Sequence, residues 1–344
     1  MMNLGKQLFY AASSILPMSF LKKTSQVTTL LPYHHTVSDR ELLHIKHLYA
    51  FKSISQFKSD LDYLLKNFVP ISPEQLVEKV NRDEQKRDNT FLLTFDDGLR
   101  ECEEIIAPIL KEKGVPAIFF INPAFIDNKE LFYRFKISLV IEKINKCRFN
   151  RLLIQKCFEV FGSEGINEVE VLVLRIKKIK QDEIKNLDYL AELLEISYND
   201  FLTKKHPYLS FEQVLKIEKM GFTIGAHSWD HPYYSLLSLE EQLLQTTRSL
   251  AFVKNNFNQK NAFFSFPHED ISISQIFFDE FLKTDVQCDL FFGTQNQIIE
   301  RGNKILHRFN AERPATTINK NISSILLLMI VRRFLKRNDF SRLN

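Results

Sequence analysis

Two short stretches of this 344-residue chain hold residues that could do chemistry together. The first is Thr94-Phe95-Asp96-Asp97-Gly98; the second is His227-Ser228-Trp229-Asp230-His231. An apolar run over residues 91–95 reads as a buried strand. Two adjacent carboxylates at the end of such a strand cost free energy unless something uses their charge. Gly98 directly after them allows a tight turn. The two imidazoles are four residues apart, so both can face one point across a single turn. One carboxylate with two imidazoles is a ligand set suited to Zn²⁺ or Fe²⁺, with positions left open for water and substrate. Taken singly, the aspartates would serve as well for a turn and helix N-cap, and His227 as a hydrogen-bonded core histidine. The combination points to a divalent metal.

The surrounding pattern shows what must position these groups. Residues 28–33 read as a first strand, ending at His34-His35; of the two, His35 is the one assigned to the pocket. Helical periodicity follows over 57–67. A helix start stands at Ser72-Pro73, with an N-cap serine and proline in the first turn. The charged run 81–89 is a solvated connection. A helix over 101–113 stops at Gly114, and 115–121 is another apolar strand. After a break the alternation resumes: helix 210–220, strand 222–225, helix 239–256, and strands 262–266, 290–293 and 304–309. Seven or eight strands alternating with helices predict an α/β fold, a distorted (β/α) barrel of mostly parallel strands. Both motifs then fall at strand C-terminal ends, where such barrels keep their chemistry. Residues 128–205 are rich in Lys, Glu, Ile and Leu, and read as a helical insertion of three or four helices.

Composition is that of an ordinary soluble chain: 44% hydrophobic, 26% charged, with a net charge of +4. That charge is too weak to argue for a nucleic-acid partner. The four cysteines are scattered without CxxC spacing and read as isolated thiols. Residues 1–27 form an N-terminal helical segment with an apolar run, 8–21, too short to span a bilayer. Within the tail, residues 321–344, the stretch 322–337 is apolar first and then basic, ending in Lys336 and Arg337. A helix covering the barrel bottom is one reading of this tail; peripheral membrane contact is the sharper one. The location expected is cytoplasmic with membrane association, export being the alternative.

With these residues in hand, the chain resembles the polysaccharide deacetylase family, the NodB-homology group of carbohydrate esterases. The likeness rests on residues 94–98 and 227–232, and on the helix-Gly-strand spacing at 112–121 and 209–228. It covers about residues 25–125 and 206–310, within a barrel domain placed at 28–320. The resemblance implies hydrolysis of N-acetyl groups from an amino-sugar glycan or glycan precursor. It implies one divalent metal held by Asp97, His227 and His231: Zn first, with Co, Fe, Ni or Mn as alternatives. Asp96 would be the general base, and the backbone N–H of His268 would meet the oxyanion. The family often has Tyr and then Gly where His268-Glu269 stands, and an Arg usual near that motif is missing. His307, in an apolar-x-His pattern, would be the general acid, although some relatives have an Arg where Arg308 stands. His35, Trp229 and Arg308 are the candidates for the substrate side. Trp229 reads as a sugar-stacking platform or as packing, and Arg308 as a partner of Asp96 or an ordinary salt bridge.

Two other functions compete. A phosphatase of the haloacid dehalogenase type also uses an Asp pair after a strand, but wants Asp-x-Asp and Mg²⁺. A catalytically silent glycan-binding or scaffold protein on the same barrel is the alternative from another class.

Overall fold

Residue 13 and residues 15–82, 88–162, 168–300, 302–335 and 339–342 are described in a computed structural model of the chain. Residues 8–12 and 14 of the expected apolar N-terminal run, the middle of the charged connection 81–89, and Lys336 and Arg337 lie outside the described residues. The chain divides into two compact units. The first comprises Met1–Asp39, Phe51–Pro123 and Leu209–Asn344; the second comprises Arg40–Ala50 and Ala124–Tyr208.

The first unit is built on eight parallel strands: β1 (Pro32–His34), β2 (Leu93–Phe95), β3 (Ala117–Ile121), β4 (Thr223–Ala226), β5 (Phe263–Ser265), β6 (Leu290–Gly293), β7 (Ile305–His307) and β8 (Phe309–Asn310). Their order across the sheet is β7-β6-β5-β4-β3-β2-β1-β8. Only Arg308 separates β7 from β8, yet the two strands pair with opposite edges of the sheet. The Arg308 N–H donates to the Gly293 carbonyl on the β6 side at 2.8 Å. The next N–H, of Phe309, donates to Leu31 beside β1 at 3.1 Å. One bent strand therefore closes the sheet on itself and removes its edges. This is the distorted (β/α) barrel the alternation implies, with seven strand positions around the ring.

Strand alternation sorts the side chains into two sets. Leu92, Ile118, Phe120, Phe263, Leu290 and Phe292 fill the barrel interior with Leu31, and Leu306 packs against them. The intervening Phe95 and Phe119 face outward and stack at 5.0 Å. His34 joins them, stacked on Phe95 at 5.8 Å and edge-on to Phe57.

Helices α1 (Met18–Ser25), α2 (Ile54–Asn67), α3 (Pro73–Asn81) and α4 (Ala107–Lys113) belong to this unit. Ser53 and Ser72 cap α2 and α3, each in a reciprocal capping box with the glutamine three residues on. A single π-turn over Cys102–Ile106 leads into α4, a local feature the sequence pattern did not announce. Among the described residues of the second unit, α5 (Tyr133–Lys146), α6 (Arg151–Glu159), α7 (Val169–Lys177), α8 (Ile184–Leu193) and α9 (Tyr198–Lys205) make five helices where three or four were expected. The first unit ends with α10 (Phe211–Lys219), α11 (Leu239–Asn256), α12 (Gln275–Phe281) and α13 (Ile318–Phe334). Ile322, Leu326 and Met329 of α13 are buried, and the helix packs on α1 and α2. Among the described residues no helix is long and apolar enough to cross a membrane.

One glycine is required by this packing. A Cβ on Gly225 of β4 would lie 2.5 Å from the Phe120 ring on β3. Gly225→Ala should cost about 1–3 kcal/mol of stability, the usual penalty of overpacking a core. An unchanged midpoint in urea denaturation would show that the ring has room to move.

Candidate functional site

The same alternation that fills the barrel builds its polar end. Tyr33 and His35, Thr94 and Asp96, Gly225 and His227, Phe263 and Ser265, and Leu306 and Arg308 are successive inward positions of their strands. Asp97, one residue past this series, takes φ 73° and turns its side chain at the barrel rim.

Asp97, His227 and His231 each offer a ligand atom, and the three atoms lie within 4.8 Å of one another, all buried. Asp97 Oδ1 is 3.4 Å from His227 Nε2 and 3.2 Å from His231 Nε2. That oxygen is buried and accepts no hydrogen bond of ordinary geometry. His227 Nδ1 lies 2.8 Å from the Ser265 carbonyl. A carbonyl only accepts, so Nδ1 carries the proton and Nε2 presents a lone pair to the site. The histidines do not converge along a helix face, as four-residue spacing would allow. Ser228 and His231 both adopt left-handed backbone, φ 63° and 62°, and Ser228 Oγ accepts the His231 N–H at 3.1 Å. Asn122 also donates to the Ser228 carbonyl.

The electrostatics agree with a cation site. Burial works against charge on Asp97, but His231, His227 and His35 outweigh it and hold the carboxyl well below its usual range. Burial lowers His231 despite the opposing pull of Asp97, so its ring favours the neutral, ligating form. An ionised carboxylate and two imidazoles whose nitrogens converge on it fit a divalent ion such as Zn²⁺.

Asp96 is held differently. Arg308 grips it with two parallel bonds, Nη1 to Oδ1 at 2.7 Å and Nη2 to Oδ2 at 2.8 Å. The guanidinium also donates to Thr94 Oγ1 and Ser265 Oγ, at 2.9 and 2.6 Å. Burial alone would raise the Asp96 carboxyl; the Arg308 charge, followed by His227, brings it below its usual range. Arg308 has 0% exposure, so the expectation that it meets substrate is corrected: it is sealed inside the barrel as the partner of Asp96.

The side chains of three further candidates, His307, Trp229 and His268, lie in different surroundings. His307 lies between the inward residues Leu306 and Arg308, so it faces out of the barrel. There its Nε2 sits 3.0 Å from Glu300 and its Nδ1 3.5 Å from Asp270. The structure does not bring His307 to Asp96 and Asp97, and the general-acid expectation is corrected for that reason. Trp229 is not an open platform: the Arg248 guanidinium lies over its ring, 3.4 Å from the centroid, and Phe252 meets it edge-on. His268 does sit at the site. Its ring packs edge-on against His231 at 4.4 Å and stacks on Tyr233 at 3.6 Å, with φ 56° at the residue.

His35 was expected in the pocket only as a substrate contact, and the structure gives it a partner that sequence reasoning missed. Glu312, two residues past β8, accepts from the backbone N–H groups of His35 and Thr36 at 3.1 and 2.8 Å. Its other oxygen is 2.8 Å from His35 Nδ1. Burial would lower the imidazole, but the charge and hydrogen bond of Glu312, with Asp97 and Asp96 behind them, raise it to about 10. Neighbouring His34 is pushed down to about 3 by its apolar surroundings. No local motif marks Glu312; its only signal is a position just after the strand that closes the barrel.

The family model for polysaccharide deacetylase matches residues 83–150 and 185–276. Similar solved structures include a deacetylase of Streptococcus pyogenes, PplD, in complex with acetate, at 12% identity and a TM-score of 0.56. That match covers 87% of this chain and 98% of the other. IcaB from Ammonifex degensii matches at 16% identity and 0.52, covering 87% and 97%. A de-N-acetylase from Aggregatibacter actinomycetemcomitans matches at 13% and 0.52, covering 84% and 96%. At such identities these likenesses are of fold. None of the curated protein sequences matches the chain. With the family match, the barrel and its parallel topology, the chain belongs to the polysaccharide deacetylase family. It is accordingly a hydrolase of the carbon–nitrogen bonds of N-acetyl groups, with carbohydrate as its substrate class.

Arg308→Lys removes the two-pronged grip but keeps a positive charge. With less to offset burial, the Asp96 carboxyl should rise, so the acidic limb of the kcat/KM profile should move to higher pH. A limb that stays in place would show that Arg308 does not set the ionisation of Asp96.

Proposed function

We propose that this chain is a metal-dependent de-N-acetylase of an amino-sugar glycan or glycan precursor. The observation that carries the reading is the convergence of Asp97, His227 and His231 beside a separately anchored Asp96. Asp97, His227 and His231 are the residues that would hold the metal, Zn²⁺ first among candidates. A divalent ion there supplies Lewis acidity and makes water a competent nucleophile near neutral pH.

The remaining roles belong to the chain. Asp96 takes a proton from the attacking water. Arg308 keeps that carboxylate ionised and points it at the site through both oxygens. The second aspartate would not share the task, because its site-facing oxygen, Oδ1, would be a ligand of the metal. The backbone N–H of His268 meets the oxygen that gains charge as the carbonyl becomes tetrahedral. His35, kept protonated by Glu312, gives its proton to the leaving nitrogen as the C–N bond breaks. Water and the N-acetyl group thus become acetate and a free amino sugar. His35 takes the acid role from His307 because it lies on the inward face, where Asp96 and Asp97 act on its charge.

The direct test is acetate release from N-acetylglucosamine oligomers by metal-loaded protein, with elemental analysis of the same sample. His227→Ala should lose bound metal and lower turnover by at least about 10²-fold. Metal content at wild-type level in that variant, or no acetate from a broad panel of N-acetylated glycans, would sink the reading.

A second experiment addresses the acid. Glu312 raises His35, so Glu312→Gln should lower the imidazole and deplete its protonated form as pH rises. The alkaline limb of the rate profile should therefore move to lower pH. An unmoved limb would assign proton donation elsewhere.

A further inference from the structure

On the outer face of the barrel, near β6 and β7, lies a buried ionic cluster that the reaction does not use. Asp270, Glu300 and His307 converge there. The segment Asp339–Phe340 pairs in parallel with Ile299–Glu300 and delivers Arg342 into their midst. The Arg342 side chain is 0% exposed. Its Nε donates to Glu300 Oε1 at 2.6 Å, and Nη2 donates to Glu300 Oε2 at 2.9 Å and Asp270 Oδ2 at 2.8 Å. Nη1 donates to the carbonyls of Ile273, at 2.9 Å, and Asp270. All five N–H donors of the guanidinium are therefore matched. The rings of Phe278 and Phe340 lie 5.0 and 5.3 Å from its central carbon. Gly293 is part of the fit, since a Cβ there would lie 2.5 Å from Asp270 Oδ1 and 2.6 Å from His307 Nδ1.

We propose that Arg342 is a positioning residue for the deacetylase site, acting through the loop that carries His268. The path is short and continuous. Asp270 Oδ2 is held by Arg342, and Asp270 Oδ1 accepts the Thr294 N–H at 2.9 Å. Thr294 Oγ1 donates to the His268 carbonyl at 3.3 Å. His268 packs against His231, one of the three converging ligand candidates. Both ends of loop 266–270 are thus tied down: Phe266 N–H donates to Phe292 on β6, and Asp270 is gripped by the guanidinium. Removing Arg342 leaves two buried carboxylates side by side without their guanidinium, contacted by His307, the Asn303 amide and the Thr294 N–H, a costly arrangement that relaxes by moving the loop. Displacement of a positioned group by about 1 Å can cost on the order of 10² in rate.

The inference rests on the deacetylase reading for its kinetic arm, so a second arm reads the loop itself. Arg342→Ala and Arg342→Lys are compared with wild type in the full chain. The first readout is kcat and KM on N-acetylglucosamine oligomers; the second is amide hydrogen exchange over residues 266–274 and 290–295. Each is repeated with guanidinium chloride far below denaturing concentration, and with sodium chloride as control. Arg342→Ala should lower kcat by about 10²-fold at nearly constant KM and speed exchange in both segments. Guanidinium, but not sodium chloride, should restore both. Arg342→Lys should be intermediate, since an ammonium cannot span both carboxylates and the carbonyls. Unchanged exchange in loop 266–270, or faster exchange with normal kcat, would overturn the proposal. If wild type releases no acetate from any glycan, the deacetylase reading fails, and exchange with its guanidinium rescue decides the clamp alone.

Discussion

A single buried ion pair, Arg308 with Asp96, is the constraint on which the rest of this structure turns. At 2.7–2.8 Å the attraction is on the order of 6 kcal/mol for an effective dielectric of about 20. Stripping water from two ions costs several kcal/mol each, so the pair is near break-even for stability. Its effect is on position and charge. Arg308 sits at the one residue separating the strands that join the two edges of the sheet, so closing the barrel and aiming the guanidinium at Asp96 are one event. Tyr33, Phe120 and Phe292 surround it at 4.8–6.0 Å, which keeps water from competing for the carboxylate.

Seen as charges, the site resolves into two neutral pairs and a remainder. Arg308 offsets Asp96, and protonated His35 offsets Glu312. Asp97 is left with His227 and His231; with both rings neutral, as metal ligation requires, that is a net negative charge at the place where three ligand atoms meet. A divalent ion fits that remainder and leaves a single positive charge, suited to an acyl oxygen that becomes negative during hydrolysis. In the proposed mechanism the acid and the base would be separated by having different partners: the Arg308 cation would hold Asp96 ionised, and the buried Glu312 carboxylate would hold His35 protonated.

The stretch after β8 does more than close the ring. Glu312 binds the backbone beyond β1, and a buried Lys52–Asp60 pair fastens the same region. Lys52 donates to the Thr316 carbonyl, and Asp60 accepts the Ile318 N–H at 3.1 Å, fixing the start of α13. The end of the barrel is therefore sewn to its beginning on the side where His35 faces inward. Buried polar groups satisfied by several partners at once tolerate little displacement.

What local sequence could determine, it did. Apolar runs and capping serines located the strands and helices, because hydrophobic period and N-cap chemistry are properties of a few adjacent residues. Asp96, Asp97, His227 and His231 were legible as a group because each of the two motifs that carry them starts at the end of a strand, in a barrel whose strand ends must converge. The face of the last strand was not fixed by the chain alone: once Arg308 is seen to grip Asp96, counting by twos puts Leu306 inside and His307 outside, and that pairing came only with the fold. Glu312 opposite His35, Arg248 over Trp229, and Arg342 among Asp270, Glu300 and His307 could not be found from local sequence either. Those partners lie 277, 19 and up to 72 positions apart in the chain. Only barrel closure and the packing of neighbouring segments bring them together, and no period or motif encodes a meeting between residues that share no element.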